Sequence, residues 1–250
     1  MNKKIIALAA IALGAISVSA QDAATAEGPS IAGSAGFAYD SLYVFRGVQY
    51  AEAIAEPSVN ITYGDFYAGL WFALPVKNEN SFINEMDATI GYGMALTEMV
   101  KLDLGVTHYT YDELPENFFD GPDNTTEFYA GLAFDLPLSP AAYIFRDIDA
   151  RTSTIEIRAG HSFDLGNSLS LGLSASSGFV RFDEGSNNNY VYYAAAVNLG
   201  YAVTEKSSLS IGARLGGSDA NLVYGDLKHY IADDFKKAAV WYGVSFTTTF

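Results

Sequence analysis

A small set of charged side chains carries what chemistry this sequence offers: Arg46, Glu85, Asp87, Glu127, Glu156, Arg158 and Arg214. Charges that converge on a narrow aqueous space choose which ions enter it. Low-dielectric walls focus their field and strengthen that choice. Other chemistries are poorly supplied. With no Cys there is no disulfide, no Cys-ligated metal and no thiol nucleophile. The histidines are His108, His161 and His229, and nothing places any of them beside a Ser and an acid as a catalytic triad requires. Asp112, Glu113, Glu116, Asp120 and Asp123 crowd one segment, and Asp233 and Asp234 another. Oxygen-rich loops can hold calcium. However, Asp120-Gly121-Pro122-Asp123-Asn124 lacks EF-hand spacing, so these acids read as solvated loops. No glycine loop cradles a phosphate, and no cofactor motif is present. The net charge of −15 supplies no basic stripe for nucleic acid.

The elements that position these charges begin with an address. Lys3 and Lys4, an apolar run from Ile5 to Ile16, and Val18-Ser19-Ala20 form a secretory signal over residues 1–20. The apolar run is too short for a spanning helix, which needs about 20 residues. Cleavage removes those lysines and no acids, taking the net charge from −15 to −17. Residues 21–30 read as a loose segment.

From residue 31 onward the apolar residues recur with period two, the signature of strands. Val240, Tyr242, Val244 and Phe246 oppose Trp241, Gly243, Ser245 and Thr247. Val100, Leu102, Leu104 and Val106 oppose Lys101, Asp103, Gly105 and Thr107. Such runs lie at 31–48, 55–63, 65–76, 83–96, 100–112, 126–135, 139–149, 153–165, 168–182, 190–203, 207–218 and 239–250. Every second connection is short, as at Gly64-Asp65 and Thr204-Glu205-Lys206. Others are long, notably Glu113–Thr125 and Ser218–Ala238.

A soluble sandwich also alternates. Here the runs exceed the usual strand length of about 5–6 residues, and the polar face is small. Short and long connections also take turns, as periplasmic turns and extracellular loops do in a transmembrane barrel. Lipid offers no hydrogen bonds, so such a sheet must close on itself. The predicted fold is all-β: a single antiparallel transmembrane β-barrel over 31–250, of about 12 strands, with ten or fourteen as alternatives.

Parity then orients the charges. Glu85, Asp87, Lys101, Asp103, Glu127, Glu156, Arg158, Asp164 and Arg214 oppose the apolar set of their strands. With a periplasmic N-terminus, the candidate charges project inward in the extracellular half. Arg46 joins them if its strand runs unbroken from Ile31; a bulge at Asp40-Ser41 would reverse it. It then either helps select ions or pairs with a carboxylate such as Glu85 or Asp87. The run 139–149 fits poorly: if Tyr143 and Phe145 face lipid, Asp147 faces out too and must sit at the rim. Tyr39, Tyr43, Tyr63, Tyr92, Tyr201, Tyr242 and Phe250 fall on the lipid parity near strand ends, where rings suit the membrane interface. Gly105, Gly160, Ser170, Gly172, Ser174, Ser210 and Gly212 face inward and are expected to leave room for water.

Ser34-Ala35-Gly36-Phe37 through Asp40-Ser41-Leu42-Tyr43-Val44-Phe45-Arg46-Gly47-Val48 resembles the first-strand signature of the TorF-type porin family, also called Gcw_chp. Gly64-Asp65-Phe66-Tyr67-Ala68-Gly69-Leu70-Trp71, Asn84-Glu85-Met86-Asp87 with Ile90-Gly91-Tyr92, and Thr126-Glu127-Phe128-Tyr129-Ala130-Gly131-Leu132 extend the likeness. It is strongest at Tyr43-x-Phe45-Arg46-Gly47. The terminal Phe250 resembles the aromatic that barrel-assembly machinery reads, although Thr248 stands where those signals often carry an aromatic. The resemblance implies a porin-like outer-membrane barrel of a Gram-negative bacterium and no particular solute.

The sequence therefore points to a passive channel for small hydrophilic solutes, favouring cations or neutral molecules and gated by Glu113–Thr125 and Ser218–Ala238. The alternative is a non-conducting barrel acting as an anchor or as a surface binder through its acidic loops. An enzyme at the rim is the least favoured class. The expected partners are the outer-membrane bilayer, the assembly machinery at Phe250, and the solutes or ions themselves.

Overall fold

The computed structural model describes residues 30–76, 84–111, 124–183, 189–219 and 238–250. The signal segment and most of the two long loops lie outside the described residues. So do His229 and the loop acids. The described residues form twelve strands and no helix: β1 Ile31–Phe45, β2 Val48–Tyr63, β3 Phe66–Pro75, β4 Glu85–Ala95, β5 Val100–Tyr111, β6 Thr125–Phe134, β7 Ala141–Asp147, β8 Thr152–Gly166, β9 Leu169–Phe182, β10 Tyr190–Ala202, β11 Ser207–Ser218 and β12 Ala238–Thr249. Each pairs antiparallel with its sequence neighbours, and β1 pairs with β12 to close the barrel. Phe250 and Gly33 seal that closure with reciprocal backbone hydrogen bonds of 3.0 and 3.1 Å.

The outer surface explains the alternation. Ile90, Ile157 and Ile211 are 64%, 62% and 61% exposed at mid-strand. A continuous apolar girdle of this kind would be an association surface in water, but in a bilayer it is simply the lipid face. Tyr63, Phe66, Tyr201 and Phe250 ring the end that carries the short turns. Tyr193 and Tyr242 stand on the same face toward the other end. Such belts sit at headgroup level.

The first hairpin departs from the expected wall. The β1–β12 ladder runs from Ser34↔Thr249 only to Asp40↔Gly243, although β12 stays paired with β11 up to Ala238. The β2–β3 ladder begins at Ile54↔Pro75. Between these points, residues 41–53 pair only with each other. Their pairing skips Ser41 and Ala53, and the register shifts between Tyr43 and Val44. Ala53 holds a positive φ of 44°. The Ser41 hydroxyl accepts the Tyr242 backbone N–H at 3.1 Å, replacing the lost ladder bond on β12.

The first strand thus ends at Phe45, not at residue 48. Its connection to β2 is the two-residue turn Arg46-Gly47, not a loop near residues 49–54. The hairpin leaves the wall next to Tyr39 and Tyr242, at the outer belt. Within the girdle below, the ladders continue, as lipid demands.

Folded inward, the hairpin builds the apolar core that a barrel otherwise lacks. Tyr43, Ala51, Ile54 and Ala73 form one buried cluster, with Phe45, Tyr50 and Trp71 against it. Val48, Val180, Tyr190 and Tyr192 form a second, with Tyr50 and Phe182. Tyr43 is therefore buried in the lumen and not placed on the lipid face, because the break after Asp40 reverses its parity. The expected register of β7 is also reversed. Ile144 is 59% exposed, whereas Phe145 and Asp147 are buried, and Tyr143 bonds a lumenal acid. Asp147 is not an outward rim residue: its carboxylate accepts the N–H groups of Asp149 and Ala150 at 3.0 and 2.7 Å.

Candidate functional site

The hairpin carries Arg46 across the lumen. β1 and β7 lie half a turn of the barrel apart, yet the guanidinium reaches Glu127 on β6, 81 residues away. Two parallel bonds of 2.7 and 2.8 Å join them. This is the fork geometry that favours Arg over Lys at carboxylates. Tyr109 donates a further bond to Glu127 at 3.1 Å. The Phe45 and Phe145 rings lie 4.7 and 4.6 Å from the guanidinium carbon. The side chains are 12% and 4% exposed, so this is a buried pair.

Arg46 occupies a left-handed backbone position, φ 47°, and Gly47 follows at φ 75°. Gly47 has a second reason to be glycine: a Cβ there would lie 2.5 Å from the Gly217 carbonyl oxygen. Its own carbonyl accepts the Ser218 hydroxyl at 3.1 Å. The turn thus touches β6, β7, β10 and β11, while its flanks pack on β3, β5 and β9. It spans the lumen between opposite strands.

The expected site residues fall into four groups. Arg46 joins Glu127, not Glu85 or Asp87. Glu85 and Asp87 sit beside the hairpin's base, where Tyr111 donates to Glu85 at 3.3 Å and Tyr43 also bonds it. Glu156 and Arg158 pair on β8 at 2.6 Å. That approach is ionic, because no N–H of Arg158 Nη2 is aimed to make a hydrogen bond. Glu156 instead accepts Tyr192 at 2.6 Å, and Arg158 lies over the Tyr143 ring. Arg214 stands apart, its side chain 2% exposed and bonded to Asp40 at 2.7 Å between β1 and β11.

Below the mouth, Asp103 accepts Tyr67 at 2.6 Å and Tyr143 at 3.0 Å. Tyr67 also bonds Tyr129. These rings fill the β3–β7 side of the lumen. They require glycine opposite them: the Tyr129 ring lies directly on Gly105, in the space a Cβ would need. Gly105 therefore leaves no room for water, and neither does Gly212, against which the Asn198 amide packs. Gly172 has only Asn198 at 3.9 Å, and Gly160, Ser170, Gly172, Ser174 and Ser210, the small inward residues of β8–β11, are half-buried. A small cavity under the hairpin tip, lined by Val44, Arg46, Arg158, Ser176, Tyr192 and Trp241, opens on that side.

Reading by residue type missed Asp40, Glu56, Tyr67 and Tyr129 as lumenal polar groups. Their inward parity was available in β1, β2, β3 and β6. Of the histidines within the described residues, His108 bonds Thr126 at 3.1 Å and His161 stacks edge-on with Phe163. Both lie on the outward parity.

The fold defines a class: a closed, twelve-stranded antiparallel β-barrel with an apolar outer face. The family model described as "Bacterial protein of unknown function (Gcw_chp)" matches residues 23–247, and the chain belongs to that family. No curated protein matches the chain. Among solved structures, a NanC porin superimposes with a TM-score of 0.55 at 10% identity, covering 88% of this chain and 99% of its own. A KdgM porin gives 0.54 at 9%, covering 87% and 99%. At these identities the likeness is one of fold. The family description names no activity.

Proposed function

We propose that the protein is a porin-like channel of the bacterial outer membrane, passing small hydrophilic solutes and ions by diffusion. The observation that carries this reading is the asymmetric lumen. Tyrosines fill one side, while the inward residues Gly160, Ser170, Gly172, Ser174 and Ser210 of β8–β11 are small and only half-buried, which we read as a polar lane toward the periplasm. A barrel serving only as an anchor has no need of such a lane.

The preferred solutes are cations and neutral molecules. Asp40, Glu56, Glu85, Asp87, Asp103, Glu127, Glu156 and Asp164 face the lumen against Arg46, Lys101, Arg158 and Arg214. The excess of acids gives the enclosed water a negative potential. The N-terminal signal would deliver the chain to export. Phe250, at the closing seam, is the residue the assembly machinery would engage.

A second reading, a non-conducting barrel, draws on the hairpin seated across the mouth. Reconstitution of the mature protein in a planar bilayer under a KCl gradient separates the two. Discrete current steps reversing on the cation side support the proposal. Anion-selective steps keep the channel and remove the acid filter. Silence from folded, heat-modifiable protein favours the second reading.

A further inference from the structure

We infer that residues 41–53 form a movable plug, and that the Arg46–Glu127 pair is the latch that holds it in the mouth. This rests on the channel reading and names how that channel is regulated.

The hairpin is attached to the barrel as a unit separate from the wall. Both of its strands leave their outer neighbours at one level, Asp40↔Gly243 and Ile54↔Pro75, and pair with each other beyond it. It can swing without breaking any wall ladder. The hinge positions are marked: Ser41 and Ala53 drop out of the pairing, Ala53 has a left-handed φ, and Ser41 caps the free edge of β12 by a side-chain bond. The backbone hydrogen bond Val76 N–H to Ala53 carbonyl, 2.7 Å, fixes the foot of the hinge and not the arm.

The contacts at the tip are of a releasable kind. They are side-chain contacts: the Arg46 fork, the Ser218–Gly47 bond, and the apolar seat of Val48. The seat is incompletely satisfied. Gln49 Oε1 on the hairpin, and Asp87 Oδ1 beside its base, are buried with no hydrogen-bond partner among the described residues. Buried polar atoms left unpaired cost free energy that solvation returns on release. Arg46 and Gly47 hold the positive φ values of a primed two-residue turn, whereas Ala53 has its left-handed φ inside a strand, at the hinge. Closed, the hairpin touches strands on every side of the lumen. Released, it uncovers the cavity that its own Val44, Phe45, Arg46 and Gly47 line, which opens onto the lane along β8–β11.

The chain has no cysteine of its own, so an engineered disulfide is unambiguous. Val48→Cys with Val180→Cys joins the tip to β9 within one buried cluster. Should that bond not form, Arg46→Cys with Glu127→Cys, bridged by a cleavable bis-maleimide, locks the same contact. In planar bilayers the locked protein is expected to carry at least tenfold less current than the same protein after reduction. Equal currents before and after reduction overturn the inference, because solute then passes beside a fixed hairpin. A reduced protein that stays silent, while a variant trimmed of Val44–Gln49 conducts, also overturns it: the plug is then permanent. Silence from the trimmed variant as well refutes the channel reading itself.

Discussion

Removing the latch carboxylate should destabilise the hairpin and leave the barrel standing. In Glu127→Ala, Arg46 keeps its position between Phe45 and Phe145 but loses both strong bonds. Its side chain is only 12% exposed, so while the hairpin is seated water replaces the carboxylate only in part. Breaking one partner of a buried pair costs about 3–5 kcal/mol, mostly from the charge left behind. Unseating the hairpin rehydrates that charge, so the cost falls on the closed state and not on the strand ladders. Replacing both partners with apolar residues, Arg46→Met with Glu127→Leu, should recover most of the loss.

The chain's two tryptophans report on this region. Trp71 packs 5.7 Å from Tyr43 between ring centres, and Trp241 lines the cavity under the tip. Urea titration in lipid vesicles should therefore show, for Glu127→Ala, a tryptophan transition at lower urea than the loss of β-sheet circular dichroism. The coupling energy from the double-mutant cycle should exceed about 1.5 kcal/mol, as for other close charge pairs. Coincident transitions with a coupling near zero would refute the reasoning and make the pair a bystander.

Further outcomes follow from the same geometry. Gly47→Ala places a methyl against the Gly217 carbonyl at a left-handed position. It should weaken the seat by about 1–3 kcal/mol, read as increased open time in single-channel records. Ile157→Arg, on the lipid face, should lower folding stability by about 2–4 kcal/mol. Gly172→Arg, on the β8–β11 side of the lumen where a Cβ meets nothing closer than Asn198 at 3.9 Å, should fold nearly as well and shift the reversal potential toward anions. Asp103→Asn leaves Tyr67 and Tyr143 with a weaker acceptor and should cost about 1–2 kcal/mol, measured by urea titration.

Much of this architecture can be read from the chain, for a physical reason. A barrel wall has one apolar and one polar face, so parity is written into every strand, and the closed ring of twelve follows from counting them. The departures occur where that rule stops applying. Tyr43 shares the odd parity of Tyr39 but lies inside, because the pairing break at Ser41 and Ala53 depends on tertiary contacts.

On β7 the aromatics alone suggest a lipid-facing register, yet Tyr143 and Phe145 fill the lumen. Asp147, on their parity, was the better guide, since a buried charge has fewer places to go than a ring. Gly105 has no side chain and so suggests empty space, but the ring of Tyr129 on the neighbouring strand lies upon it. The charged residues themselves were found by type. The partner of Arg46 was not, because no local pattern joins groups 81 residues apart.

The central claim is that a conducting lumen lies behind the first hairpin. Its most direct test is the unit conductance of a barrel in which Val44–Gln49 is replaced by a two-residue turn, recorded beside the intact protein in KCl. The account predicts a severalfold larger, still cation-selective conductance from the trimmed barrel. An unchanged conductance, or none from a correctly folded trimmed barrel, would contradict it.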